Sequence, residues 1–278
     1  MVALHKEFPC NQGASVDPVM FLTFTAFGFL FPHHHHHHKQ ATWDTVGLFL
    51  PCDYARTKGK VEPYVDRRLK HIVTACGYGS SSSTGGGGSI LDVGCGDGAV
   101  MPYLLNANMN GDASNAPNDA AAIEYKGLDV SSVMIDMAKS KYPTQDFVVG
   151  SFPEDLNDNE RFDTILFNGS LQFFRDTLQT LRHARSMLTD DGATKSRIVL
   201  SHVQGNKFVK DECRTSQGVA VRNMPNKVSL EDYAKILNMR VVYKDELLSS
   251  TTENNDNNYD PTLDGDDDQF YLVALETL

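Results

Sequence analysis

The chain has 278 residues, and 25 Lys and Arg against 36 Asp and Glu leave a formal net charge of −11 at pH 7. Apolar residues make up 41%, enough to fill one large α/β domain, so a disordered or fibrous protein is excluded. An acidic chain without a dense Lys/Arg block is poorly suited to neutralising phosphates, which argues against a nucleic-acid partner.

Residues 19–31 form a run of mostly apolar residues rich in Phe. It is too short to cross a bilayer as a helix, so no stable membrane span is expected, but it fits the apolar centre of a leader. Residues 1–42 therefore read as an N-terminal extension, either a leader or disordered. The protein is expected in the cytoplasm, or in a plastid-type organelle if residues 1–40 act as a leader. Six consecutive histidines, His33 to His38, read as a tag or a low-complexity run. The five cysteines are widely spaced with no Cys-x-x-Cys, so neither a disulfide framework nor a metal site is signalled.

The folded domain is expected over 43–278. Apolar positions Val65, Leu69, Ile72 and Val73 recur at helical steps and predict a helix over 61–76. The Ser, Thr and Gly residues of 80–89 predict a flexible surface connection. Strands are predicted at 90–93, 124–128, 147–149, 164–167, 197–201, 240–243 and 270–274, with helical patterns between most of them. Asp176 caps one helix, and Ser229 with Asp232 suggests a capping box on another that runs to about Leu237. Such alternation implies a doubly wound, mainly parallel sheet with helices on both faces. Two polar insertions, 106–122 and 248–268, read as loops. The second holds seven acids without EF-hand spacing, so it reads as solvated.

The most informative segment is Ile90-Leu91-Asp92-Val93-Gly94-Cys95-Gly96-Asp97-Gly98, a strand running into a glycine-dense turn. Glycine suits a sharp turn that a ligand approaches closely. Gly94-x-Gly96-x-x-Ala99 also satisfies the dinucleotide fingerprint. Asp92 decides between ligands, because a carboxylate there would repel a pyrophosphate and attract an ammonium group.

These residues resemble the first motif of class I S-adenosylmethionine-dependent methyltransferases, and the resemblance extends over about residues 60–278. It implies a Rossmann-like seven-stranded sheet with one antiparallel strand, its last pair formed by 240–244 and 270–275. It also implies S-adenosyl-L-methionine as cofactor. Asp92, Gly94, Cys95 and Gly96 would form the cofactor loop. Asp129, in Gly127-Leu128-Asp129-Val130, would accept both ribose hydroxyls, with Val130 beside it and Met134 packed on the adenine. Ser151 and Phe152 follow the third strand, where Ser151 stands in place of the family's usual acid. Asn168 and Gly169 would lie beside the methionine part of the cofactor, and Gln172 and Phe173 would line the substrate pocket. Tyr54 belongs to a segment, 43–60, expected to form part of a lid.

The nucleic-acid amino-methylating motif, the Pro-Cys nucleophile after the fourth strand and the paired-glutamate loop are all absent, which favours a small-molecule substrate. The segment from Asn168 to Phe173 looks most like enzymes that methylate small carboxylates. His202, just after the fifth strand, is the candidate general base; a structural histidine at a strand end is the alternative. Two other functions stay open at this point: an NAD(P)-binding oxidoreductase, and a non-catalytic binding module on the same fold. The residues say nothing of oligomeric state.

Overall fold

The computed structural model describes residues 44, 56–57, 60–78, 88–109, 123–190, 195–215, 220–249 and 265–278. The 1–42 extension, the histidine run, Tyr54, nearly all of the expected lid and most of the acidic insertion lie outside them.

Two short strands, β1 (Arg56–Thr57) and β2 (Lys60–Val61), pair antiparallel and lead into α1 (Pro63–Ala75). The predicted helix start at 61 is thus too early, because Val61 is in a strand. Pro63 sets the start: its fixed φ suits the first helical turn and its missing N–H is no loss there. The helix is followed by Gly77 at φ 90°, a left-handed position that favours glycine.

The main sheet is built from β3 (Ser89–Val93), β4 (Glu124–Asp129), β5 (Asp146–Val149), β6 (Thr164–Asn168), β7 (Arg197–His202), β8 (Met239–Tyr243) and β9 (Tyr271–Thr277). Its order is β5-β4-β3-β6-β7-β9-β8, and β9 runs antiparallel to both neighbours while the other pairs are parallel. This is the expected doubly wound sheet of seven strands with one antiparallel member. The chain leaves β3 toward β4 on one side and later crosses to β6 on the other. The carboxyl ends of β3 and β6 therefore flank a topological switch point, where such sheets bind ligands.

Helices cover both faces. Along the strands, alternate residues enter opposite cores, as the two-residue period requires. Ile90, Val199, Leu272 and Ala274 pack with α1, with α2 (Met101–Met109), with α3 (Ser132–Lys141) and with α7 (Lys244–Ser249). Leu91, Ile198, Leu200 and Val273 pack with α4 (Thr177–Ser186), α5 (Gly205–Thr215) and α6 (Lys227–Leu237). Ile72, Ile90, Leu91 and Ile165 are fully buried; each such side chain contributes about 1.5–3 kcal/mol by leaving water.

Other boundaries also differ from the sequence reading. The cap of α6 is Asn226, whose side chain accepts from the Ser229 N–H, so Ser229 is already inside the helix and the Ser229/Asp232 capping box is not formed. Residues 106–109 extend α2 rather than begin a loop, and Leu248 and Ser249 end α7. Asp176 caps α4 as predicted, accepting from the Gln179 N–H at 2.9 Å.

Candidate active site

The turn after β3 is tied to the end of β4. The N–H groups of Gly94 and Cys95 both donate to the Leu128 carbonyl, at 2.7 and 3.1 Å. Gly94, Gly96 and Gly98 have φ of 74°, 55° and 84°, left-handed positions that other L-residues adopt only at a cost. Gly94 also has no room for a side chain, since a Cβ there would lie 2.5 Å from the Ser170 Cβ. The glycine at 94 is thus explained by its neighbour Ser170 as well as by its turn. Ser170, buried after β6, donates to the Val93 carbonyl and locks the ends of β3 and β6 together.

Asp129 ends β4 with both carboxylate oxygens aimed into the turn. Oδ2 accepts from the Gly96 N–H at 2.9 Å and Oδ1 from the Ser131 N–H at 2.8 Å. Burial pushes its carboxyl above the ordinary range, and the Ser131 and Gly96 N–H groups hold it down. Each oxygen keeps lone pairs for a further donor. Ser131 caps α3, its hydroxyl accepting from the Met134 N–H, and the Met134 side chain is buried. Val130 is half-buried between Asp129 and this cap.

Asp92 lies two residues before Gly94, fully surrounded. Tyr125 donates to its Oδ2 at 3.0 Å, and its buried Oδ1 has no hydrogen-bond partner among the described residues. Burial lifts its carboxyl to about 7. Cys95 is buried against Gly127, where a Cβ would meet its Sγ at 2.9 Å, so a small, soft side chain at 95 is a packing requirement.

After β5, Ser151 is half-buried, and Phe152 is edge-on to Phe167 at 5.5 Å and to Phe174 at 6.2 Å. The Ser151 N–H donates to the Asp155 carboxylate at 2.8 Å. An acid therefore does reach this point, from four residues further on. At the end of β6, Asn168 accepts from the Ser201 hydroxyl at 3.1 Å, and Gly169 turns at φ 67°. Gln172 and Phe173 lie in a single 3₁₀ turn, Gln172 buried and its amide donating to the Gly169 carbonyl at 2.9 Å.

His202 ends β7. Its ring stacks on Phe208 at 5.4 Å between centroids, and its Nδ1 accepts from the Gln204 N–H at 3.2 Å. Burial lowers its pKa to about 4, so the ring is neutral near pH 7. With Nδ1 engaged as an acceptor, the ring proton belongs on Nε2, which is then a donor. A Cβ on Gly169 would lie 4.0 Å from that nitrogen.

Apart from Tyr54, the candidate cofactor, pocket and catalytic residues lie at the carboxyl ends of β3 to β7, in the turns that follow them or, for Met134, in the first turn of α3. The structure adds Asp44, Asp155, Ser170 and Glu212 to that edge, and Tyr125, near the start of β4, reaches Asp92 with its hydroxyl. Asp44 comes from the N-terminal segment and takes hydrogen bonds from the Ser131 hydroxyl at 2.9 Å and the Val133 N–H at 3.4 Å, at the start of α3. A separate groove of about 500 Å³, lined by Asp176, Arg222, Asn223, Asn226 and Tyr233 among others, opens at the N-terminal ends of α4 and α6. It shares no lining residue with the set at the strand ends, which holds the chemistry.

Residues 91–194 match the family model of a methyltransferase domain. Over that stretch the chain is similar to a methyltransferase domain. Its fold is similar to that of solved methyltransferases across most of both chains. One is the plantazolicin methyltransferase BpumL in complex with a pentazolic desmethylPZN analog and SAH: 13% identity, 93% of this chain and 96% of that one, TM-score 0.58. A second is the magnesium protoporphyrin IX methyltransferase ChlM from Synechocystis PCC 6803 with bound SAH: 14% identity, 86% and 97% coverage, TM-score 0.51. A third is a putative methyltransferase in complex with the Haloferax volcanii Trm112 activator: 15% identity, 84% and 95% coverage, TM-score 0.51. No curated protein matches. Among the described residues, no helix is long and apolar enough to cross a membrane.

Proposed function

We propose that this protein binds S-adenosylmethionine at the carboxyl ends of β3 and β4 and transfers its methyl group to a small-molecule acceptor held beside β6 and β7. The observation that carries the reading is Asp129. Its two oxygens are held by backbone N–H groups, Oδ2 by Gly96 and Oδ1 by Ser131, and a carboxylate so placed keeps lone pairs that suit the paired hydroxyls of a ribose. Asp92 supplies the second test of fit. Its buried Oδ1 is an acceptor without a donor, as an ammonium group requires, and a pyrophosphate at the same turn would meet a carboxylate instead. Met134 would face the adenine, with Val130 and Phe152 nearby, and the Asp155 carboxylate at Ser151 takes the place of the acid missing at 151. Asn168 and Gly169 would border the methionine part. The solved methyltransferases crystallised with SAH support the same cofactor.

When bound, S-adenosylmethionine supplies an electrophilic methyl group on a sulfonium sulfur. The protein's part is to align the nucleophile with that methyl and exclude water. Gly169, Gln172 and Phe173 sit where the acceptor would lie, and Tyr54 is assigned to the covering segment. His202, neutral with its proton on Nε2, acts there as a hydrogen-bond donor that orients the acceptor, in place of the general-base role suggested by the sequence.

Incubating the protein with S-adenosylmethionine labelled in the methyl group and a cell extract, then separating products by mass, tests this. Label is expected in the low-mass fraction; label on protein or nucleic acid would overturn the small-molecule acceptor.

A further inference from the structure

The turn after His202 is held from outside the site by Arg68, a buried cation on α1. Its Nη1 donates to the Val203 carbonyl at 2.8 Å and to the Gln269 carbonyl at 2.9 Å, one hydrogen for each. The guanidinium lies over the Tyr64 ring at 5.1 Å and over the Phe270 ring at 5.3 Å, which fixes its plane while the carbonyls take its hydrogens. The residues that follow are stapled to the same segment. The Asn206 N–H donates to the Asp267 carbonyl at 2.8 Å and the Lys207 N–H to the Asp268 carbonyl at 3.1 Å. Gly205, just before them, has no room for a side chain, because a Cβ would lie 2.4 Å from the Asp268 carbonyl oxygen.

One peptide unit joins this anchor to the imidazole. The Val203 carbonyl and the Gln204 N–H belong to the same planar group and point in opposite directions. Arg68 holds the carbonyl end, so the N–H end is presented to His202, whose Nδ1 accepts it at 3.2 Å. A cation on the carbonyl also polarises the amide and makes its N–H a stronger donor. Turned over, the same peptide would offer His202 a carbonyl. Nδ1 would then carry the ring proton and Nε2 would keep a lone pair, as a general base needs.

We propose that Arg68 is a positioning residue for His202, selecting through the Val203–Gln204 peptide the tautomer that bears its proton on Nε2. Arg68 thereby decides whether the ring nitrogen beside Gly169 donates to the methyl acceptor or takes a proton from it. The use made of that donor rests on the methyltransferase reading above.

The test is the long-range proton–nitrogen spectrum of the histidine rings in the full chain, for the wild type, Arg68→Met and Arg68→Lys, with His202→Asn marking the signals of His202. It is recorded at about pH 7.5, well above the folded pKa of about 4, so that the ring is neutral. One ordinary hydrogen bond biases the two tautomers about tenfold, so the wild type should show the Nε2–H form in about that excess. Arg68→Met should lower the excess at least about threefold, and Arg68→Lys, which keeps a cation for the carbonyl, should lie closer to the wild type. A wild-type ring protonated on Nδ1, a folded Arg68→Met protein with the wild-type ratio, or a lysine variant no closer to wild type than the methionine one would overturn the proposal. Should Arg68→Met not fold, the wild type decides alone. Scalar couplings should cross the hydrogen bonds from Arg68 Nη1 to the Val203 carbonyl carbon and from the Gln204 nitrogen to His202 Nδ1, and the absence of either overturns the assignment. Calorimetric titration of SAH into the same proteins separates this from the cofactor reading: no SAH binding, with the tautomer shifted in Arg68→Met, would refute the methyltransferase reading and uphold the role of Arg68.

Discussion

Replacing Asp129 by alanine removes two acceptor oxygens from the end of β4, where they join the turn after β3 to the start of α3. In the wild type those oxygens are held by the Gly96 and Ser131 N–H groups at 2.9 and 2.8 Å, and the remaining lone pairs are assigned to the two ribose hydroxyls. Hydrogen bonds to a charged group are worth roughly 1.5–3 kcal/mol each, so two are worth about 3–6 kcal/mol. The low end applies, because burial already pushes the Asp129 carboxyl toward its neutral form. About 3 kcal/mol corresponds to a loss of roughly 100-fold in the affinity for SAH. The two N–H groups freed by the substitution face a half-buried, water-accessible turn, so the cost to folding is smaller, about 1–2 kcal/mol. The assay is calorimetric titration of SAH into both proteins, with melting temperature and circular dichroism confirming that the variant is folded. A folded Asp129→Ala protein that binds SAH within threefold of wild type would refute the assigned role.

Three further outcomes follow from the same geometry. His202 has a folded pKa of about 4 against 6.5 when exposed, so the unfolded chain takes up a proton between those values that the folded chain does not. The stability it contributes is complete above pH 6.5 and is lost as pH falls toward 4, about 2 kcal/mol by pH 5. Relative to wild type, His202→Asn should therefore lose less stability in urea titrations between pH 7.5 and pH 5. Asp92, raised to about 7, has the opposite slope but is common to both proteins and cancels; parallel pH curves would contradict the reasoning. Gly94→Ala places a Cβ 2.5 Å from the Ser170 Cβ at φ 74°, and should cost at least about 2 kcal/mol in denaturant unfolding; a cost under about 0.5 kcal/mol would count against the turn as described. Asp44→Ala removes an anion from the start of α3, and amide exchange at Ser131 to Met134 should quicken by the equivalent of about 1 kcal/mol; unchanged exchange would show that Asp44 does not hold this helix.

The sheet was legible because its strands are buried on both faces and its helices on one. Uniform apolar runs such as Ile165 to Phe167 and three-to-four-residue steps such as Leu178, Leu181 and Ala184 carry these signals locally. The ends of elements were less legible, since a cap depends on which nearby side chain wins: Asn226 outcompetes the Ser229/Asp232 pairing because its carboxamide reaches the Ser229 N–H. The cofactor half of the site is written in two short stretches, around Asp92 and Asp129, and could be read from them. Asp44, Asp155 and Glu212 were not readable in that way, because each reaches the strand ends from a loop or helix whose own sequence is unremarkable. Only the Ser151-x-x-x-Asp155 spacing offered a hint. Glu212 in particular is marked by its burial against Gln172, forty residues away in the chain, and no local pattern carries that contact. The role of Gly94 shows the reverse: the glycine was expected for a ligand's approach, and it is equally required by Ser170.

Titrating SAH and, separately, reduced nicotinamide dinucleotide into the full chain tests the central claim most directly. The account predicts micromolar binding of SAH and none of the dinucleotide, because the turn presents Asp92 and Asp129 to whatever enters. Binding of the dinucleotide with no binding of SAH, in protein shown to be folded, would contradict it.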